Sequence, residues 1–192
     1  MPRLDPVLRH ATTAPVFEPT KIHRERLVDL VHSYLPRKLI VLAAPAGYGK
    51  TTLLADFTAH SDFPVFWVRL TPADHDERRL AEMIVATLRR RFRRVMRETR
   101  LNSLAGATAE ALGRALGEAM GSVGEPFVLV LDDVHHLNPS KPALALMDAL
   151  LEAMPEDASL IASGREVLEV SLAKLMAEEN LAGLGPQDLS LT

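Results

Sequence analysis

The 192 residues carry a formal net charge of −3, with 47% hydrophobic and 24% charged side chains, which suits one ordinary globular domain with a sizeable core. That balance gives no global reason to expect nucleic acid or an anionic membrane as a partner. The absence of cysteine excludes disulfides and thiolate metal sites, no apolar run approaches the roughly 20 residues that span a bilayer, and the N-terminus has no signal-peptide core, so a cytoplasmic location is expected.

Residues 1–20 hold four prolines, Pro2, Pro6, Pro15 and Pro19, and little periodicity, which predicts an irregular leader ahead of a domain over residues 21–192. From Lys21 to Tyr34 apolar positions recur at helical spacing until Pro36 stops the helix. Leu39-Ile40-Val41-Leu42-Ala43 is a continuous apolar run, the pattern of a strand covered on both faces in a parallel sheet. A helix over Thr51–His60 and a strand over Val65–Leu70 follow. Glu77 to about Arg97 reads as one long helix with its apolar stripe at Leu80, Ile84, Leu88, Phe92 and Val95. Another helix is predicted over Leu104–Met120, a buried strand over Phe127–Leu131, and a helix over Pro142–Met154 with proline in its first turn. A strand over Ser159–Ser163, a helix over Val167–Glu179 and a weak strand over Leu181–Leu184 complete the pattern. Strands alternating with helices specify an α/β fold with a mostly parallel sheet.

Ala44, Pro45, Ala46, Gly47, Tyr48, Gly49, Lys50, Thr51 and Thr52 link the first strand to the following helix, and Gly49-Lys50-Thr51 matches the end of a Walker A phosphate loop. The glycines let the backbone curl so that successive N–H groups point inward. The helix N-terminus adds free donors and the positive end of its dipole. Lys50 is positioned to bridge the β- and γ-phosphates of ATP, and Thr51 offers a hydroxyl to Mg²⁺, which prefers hard oxygen ligands. The consensus leading glycine is Ala44 here, which is compatible with the loop if its φ is negative. Asp132 and Asp133 end an apolar strand at the sheet edge where open α/β sheets bind ligands. Asp132 is therefore the expected Walker B ligand of Mg²⁺, and Asp133 the expected general base for the attacking water.

Leu39–Leu54 and Val128–His135 together resemble the ATPase domain of STAND signalling NTPases, nearest the large ATP-dependent LuxR-type regulators. Arg24-Glu25-Arg26-Leu27 resembles the entry segment of that family, Phe66–Leu70 with Asp74 and Asp76 its Trp strand and acidic loop, and Ser163-Gly164-Arg165 its Ser-Arg sensor with a glycine between. The resemblance covers residues 15–192. It implies a three-layer P-loop NTPase sandwich of the ASCE/AAA-like type, whose mostly parallel five-stranded sheet has order 5-1-4-3-2. It further implies that Arg165 approaches the γ-phosphate, completing a catalytic set with Lys50 and Asp133, and that the segment around Ile22–Arg24 lies near the adenine. Slow regulatory ATP hydrolysis and nucleotide-dependent self-association follow from the same resemblance. So does contact with DNA only through further domains of a longer regulator, and none with membrane. An AAA+-like motor and a small-molecule kinase are the alternatives.

Other features have plainer readings. The arginines from Arg89 to Arg100 read as the solvated face of an amphipathic helix rather than a nucleic-acid contact. His135 and His136 lack the spaced partners of a metal site, and the resemblance gives His135 a role in holding the Walker B turn. Asp74-His75-Asp76-Glu77 reads as a loop entering a helix N-terminus, and Trp67 as a core residue.

Overall fold

The computed structural model describes residues 10–18, 23–98 and 106–190. In chain order its elements are α1 (Glu25–Tyr34), β1 (Leu39–Ala43), α2 (Lys50–His60), β2 (Val65–Arg69), α3 (Glu77–Leu88), α4 (Arg93–Glu98) and α5 (Ala109–Gly121). There follow β3 (Phe127–Asp132), a 3₁₀ turn (Val134–His136), α6 (Lys141–Ala153), β4 (Ala158–Gly164), α7 (Leu172–Ala177), β5 (Leu181–Leu184) and α8 (Pro186–Leu189).

The strands form one sheet in the order β2-β3-β4-β1-β5, with every pairing parallel. This is the predicted order 5-1-4-3-2 seen from the other edge. Side-chain alternation divides each strand between two cores. One row across the sheet, Leu39, Leu160, Leu129 and Phe66, joins the cluster under α3, α5 and α6, while the next row, Ile40, Ile161, Val130 and Trp67, joins the cluster under α1 and α2. Burial on both faces explains why the strands read as unbroken apolar runs, and the result is a three-layer sandwich.

Several helices differ from their predicted limits. The single helix expected over residues 77–97 is broken after Leu88. Arg89, Arg90 and Arg91 form a turn, and Phe92 drops against Phe66 and Phe127 with ring centroids 5.1 and 5.5 Å away. Placing that ring on the end of the sheet outweighs continuing the helix. The helix expected from Leu104 begins at Ala109, where the Thr108 side chain caps it by accepting from the Ala111 N–H at 3.3 Å; Leu104 itself lies outside the described residues, as does Ile22. The helix expected over 167–179 shrinks to Leu172–Ala177. Upstream of it the Glu169 N–H is taken by Asn138 Oδ1 at 3.1 Å and the Ser171 N–H by Asp148 Oδ1 at 2.7 Å. The leader expected to be irregular is helical at His10 and Ala11 and irregular only over residues 14–18, and it is anchored, because Thr12 is buried and accepts from Arg90 Nη2 at 2.9 Å.

Glycine has a structural task between α5 and α6. A Cβ on Gly113 would lie 2.1 Å from the Leu146 carbonyl oxygen, and one on Gly117 would lie 2.6 Å from Ala153 Cβ. The two helices are in backbone contact there.

Candidate functional site: a phosphate loop beside paired acids

Parallel strands bring the C-terminal ends of β1, β3 and β4 to one edge, and the candidate site residues gather there. After Ala43 the chain turns through Pro45–Gly49, which are exposed except for the half-buried Gly49. Gly47 has φ 90° and Gly49 has φ 73°, conformations that an L side chain rarely adopts. Gly49 is also the N-cap of α2 and offers no side-chain cap, so the first N–H groups of that helix are left to the loop. Ala44 is buried, keeps a negative φ, and donates its N–H to Gly164 O at 3.2 Å. The missing consensus glycine therefore costs nothing here.

Lys50 reaches back over the loop, donating from Nζ to the carbonyls of Ala44 at 2.5 Å and Pro45 at 3.0 Å. Burial lowers its pKa below the ordinary 10.5, the Asp132 and Asp133 carboxylates oppose that, and Arg165 adds to it. Thr51, one residue on, donates from Oγ1 to Asp132 Oδ2 at 2.9 Å. This bond joins the loop to the acid strand across 81 residues of chain. Thr52 is half-buried on the same first turn.

Asp132 is 1% exposed. Burial raises its pKa above 3.8, and the neighbouring Asp133 charge adds to that; Thr51, Ser163 and Arg69 pull the other way. Ser163 is its register partner on β4, wholly buried, with Oγ beside the carboxyl but outside good hydrogen-bond geometry. Asp133 adopts the left-handed region at φ 63° and ψ 37°, a local strain that Asp tolerates better than most residues and that tends to gather at functional sites. Its backbone turn starts the 3₁₀ segment, so its carboxyl is freed from the strand and 33% exposed.

Arg165 lies in the bend after β4, exposed, with its backbone N–H facing His135 Nδ1 at 3.5 Å. Burial and the adjacent His136 lower the pKa of His135 below 6.5, which suits a neutral ring accepting at Nδ1. The glycine between Ser163 and Arg165 is dictated by this packing. A Cβ on Gly164 would lie 2.9 Å from Glu166 O, 3.2 Å from Val134 Cγ2 and 3.3 Å from His135 N. Arg24 stands on the other side of the loop, with Nη1 3.6 Å from where a Cβ on Gly49 would sit, and it also donates from Nη2 to Leu189 O at 2.5 Å.

One residue of the site escapes the sequence patterns. Arg69, the last residue of β2 and the register partner of Asp132, holds its Nε 4.0 Å from Asp132 Oδ2 and 3.8 Å from Asp133 Oδ2. The available signal was a cation ending an otherwise apolar strand at the ligand-binding edge. The arginines of the 89–100 run with described bonds mostly turn to their own chain: Arg89 to Met96 O, Arg90 to Thr12 and Thr13, Arg91 to Glu125. Trp67 is 1% exposed in the core, and Asp76 caps α3 by accepting from the Arg79 N–H at 2.9 Å.

A family model described as an AAA domain matches residues 34–169, from the end of α1 past the bend at Arg165. The chain belongs to the AAA domain family. This AAA domain has the P-loop NTPase fold, and its family implies nucleotide binding. The chain is 26% identical over 172 residues to the HTH-type transcriptional regulator MalT of Klebsiella pneumoniae, a match covering 88% of this chain and 19% of that protein. It spans about a fifth of the length of such relatives. Among solved structures, the Walker-type ATPase PABY2304 of Pyrococcus abyssi aligns with TM-score 0.53 and 17% identity, over 79% of this chain and 47% of that one. Drosophila ORC bound to AT-rich DNA and Cdc6 aligns with TM-score 0.51 and 11% identity, over 84% of this chain and 55% of that one. At those identities the two structures bear on the fold alone. No helix among the described residues is long and apolar enough to cross a membrane.

Proposed function

We propose that this chain, residues 21–192 above all, is the ATP- and Mg²⁺-binding switch of a STAND-type signalling protein, a transcriptional regulator in the manner of MalT. The observation that carries the reading is the 2.9 Å bond from Thr51 Oγ1 to Asp132 Oδ2. Two hard oxygens at that separation match adjacent corners of an octahedron with metal–oxygen distances of about 2.0–2.1 Å. The donor set thus fits Mg²⁺, held by Thr51 directly and by Asp132 directly or through water. When bound, the ion would neutralise charge on the phosphates. The loop from Ala44 to Thr52 would cradle them with its N–H groups, and Lys50 would exchange its carbonyl partners for phosphate oxygens. Asp133, half-buried beside the Walker B turn, would accept the proton of the attacking water. Arg165 would neutralise charge on the γ-phosphate and Arg24 would contact the nucleoside end.

Slow turnover suits a switch in which ATP favours an assembling state and hydrolysis resets it. The similarity to MalT supports a regulator over a motor or a kinase, and Arg89, Arg90 and Arg91 are engaged with their own chain rather than presented as a basic lid. The test is calorimetry with ATP and Mg²⁺ alongside phosphate release and oligomeric state. Tight binding with turnover below about 1 s⁻¹ is expected, against roughly 1–100 s⁻¹ for kinases. Phosphate transfer to a small metabolite would overturn the switch reading.

A further inference from the structure

Along α2 beyond the phosphate loop lies a second cluster, in which Asp56 and His60 have no part in the nucleotide reading and His23 comes from the segment that reading sets near the adenine. Asp56 is 1% exposed, an acid buried in the middle of the helix. Two imidazoles converge on it: His23 Nδ1 lies 2.8 Å and His60 Nδ1 3.0 Å from the same oxygen, Oδ1. His60 is one turn along α2, and His23 arrives from the segment ahead of α1. The other oxygen, Oδ2, is fixed by the Arg24 N–H at 2.9 Å. The rings lie against each other with centroids 4.5 Å apart, and one ligand atom from each of the three residues falls within 4.8 Å of the other two.

We propose that His23, Asp56 and His60 form a binding site for a transition-metal dication of the Zn²⁺, Co²⁺ or Ni²⁺ class. A cation about 2.0–2.1 Å from each donor requires neighbouring ligand atoms about 3 Å apart; each imidazole already stands at about that distance from Asp56 Oδ1, and the two imidazoles offer ligand atoms within 4.8 Å of each other. Two imidazoles and one carboxylate select this class over Mg²⁺ and Ca²⁺, which prefer oxygen alone. The carboxylate is already oriented by a backbone donor on its second oxygen, the arrangement that outer-shell bonds give metal ligands. Both histidines keep a solvent-facing side, at 42% and 49% side-chain exposure, so water can complete the coordination shell. Binding would exchange the imidazole protons now facing Asp56 for one cation and tie the segment bearing Arg24 to the body of α2.

The proposal does not depend on nucleotide binding, and its test contains none. The full chain is titrated with Co²⁺ in the presence of excess Mg²⁺, which occupies hard-oxygen sites, and binding is followed by visible absorption and calorimetry. The wild type is expected to take up one equivalent. His23→Ala and His60→Ala, both at exposed positions, are each expected to weaken binding by at least about 100-fold, since even outer-shell losses cost 10–100-fold. His75→Ala, in the loop before α3, serves as the control and is expected to bind as the wild type does. Circular dichroism confirms folding, and His60→Gln provides a second variant of near-native size. Absence of binding, or equal affinity in wild type and the His23 and His60 variants, would identify a hydrogen-bonded His–Asp–His cluster only and overturn the proposal.

Discussion

Replacing Thr51 by valine keeps the shape of the side chain and removes only its hydroxyl. In the folded protein that hydroxyl is a donor, at 2.9 Å, to a carboxylate that is 1% exposed. What remains to Asp132 is the Asp133 N–H at 3.2 Å, the Arg69 guanidinium at 4.0 Å and the Ser163 hydroxyl beside it. A hydrogen bond to a charged group contributes about 1.5–3 kcal/mol, so Thr51→Val should lose about that much at neutral pH with no ligand present. The loss should also depend on pH. The Asp132 pKa is raised in the folded state, chiefly by burial and then by Asp133. Stability linked to this group is therefore fully present below 3.8 and is lost as pH rises through the raised value. Thr51 is among the groups that limit the rise, so valine enlarges the penalty on the ionised form. Once the carboxyl is protonated the deficit should shrink to about 0.5–1.5 kcal/mol, the contribution of a neutral bond. Urea melts of both proteins at pH 7.5 and near pH 4 measure this, with a neutral-pH midpoint difference of about 1 M at ordinary m-values. Equal stability at neutral pH, or a deficit that does not change with pH, would refute a bond from this hydroxyl to an ionised Asp132.

Three further substitutions address other links. Lys50→Ala should abolish nucleotide binding with little loss of stability, because Lys50 contacts only loop carbonyls on the described chain; calorimetry showing unchanged ATP affinity would remove the phosphate-loop assignment. Asp133→Asn should bind ATP normally and lose hydrolysis, since Asn tolerates the left-handed backbone there; wild-type phosphate release would exclude Asp133 as the base. Gly113→Ala should destabilise by about 3 kcal/mol or more, because the new Cβ meets backbone on α6 rather than a movable side chain. At roughly 2–4 °C per kcal/mol for a domain of this size, an unchanged thermal midpoint would contradict the close approach of α5 and α6.

The phosphate loop and its acids were legible because their signals are local. Strand, glycine turn, lysine and helix lie in one stretch from Leu39 to His60, and Asp132 and Asp133 follow directly on an apolar run. The sheet was equally plain, since burial of both faces leaves nothing but apolar residues in β1 and in β3 up to Leu131. The misplaced helix ends came from forces acting across the chain. Phe92 breaks a helix to reach Phe66 and Phe127, and Asn138 and Asp148 capture amides some 20–30 residues downstream that a helix would otherwise have used. Arg69 was missed for the same reason, since only strand pairing sets it opposite Asp132. His23 and Asp56 are 33 positions apart, and no spacing rule joins them.

These long-range contacts also show how the loop is held from outside itself. Arg24 places one side of its guanidinium against Gly49 and another on the Leu189 carbonyl, while its own N–H is fixed by Asp56. Arg26 adds a bond to the Asp188 carbonyl at 3.2 Å. The entry segment, the phosphate loop and α8 therefore share a single cation. Phosphates entering that loop would compete with the Ala44 and Pro45 carbonyls for Lys50 and lie beside a guanidinium already engaged with α8. A change in where that guanidinium bonds would reach α8 without any movement of the sheet. Such a short, contiguous chain of polar contacts is one physical form that carries coupling between a nucleotide site and a neighbouring segment.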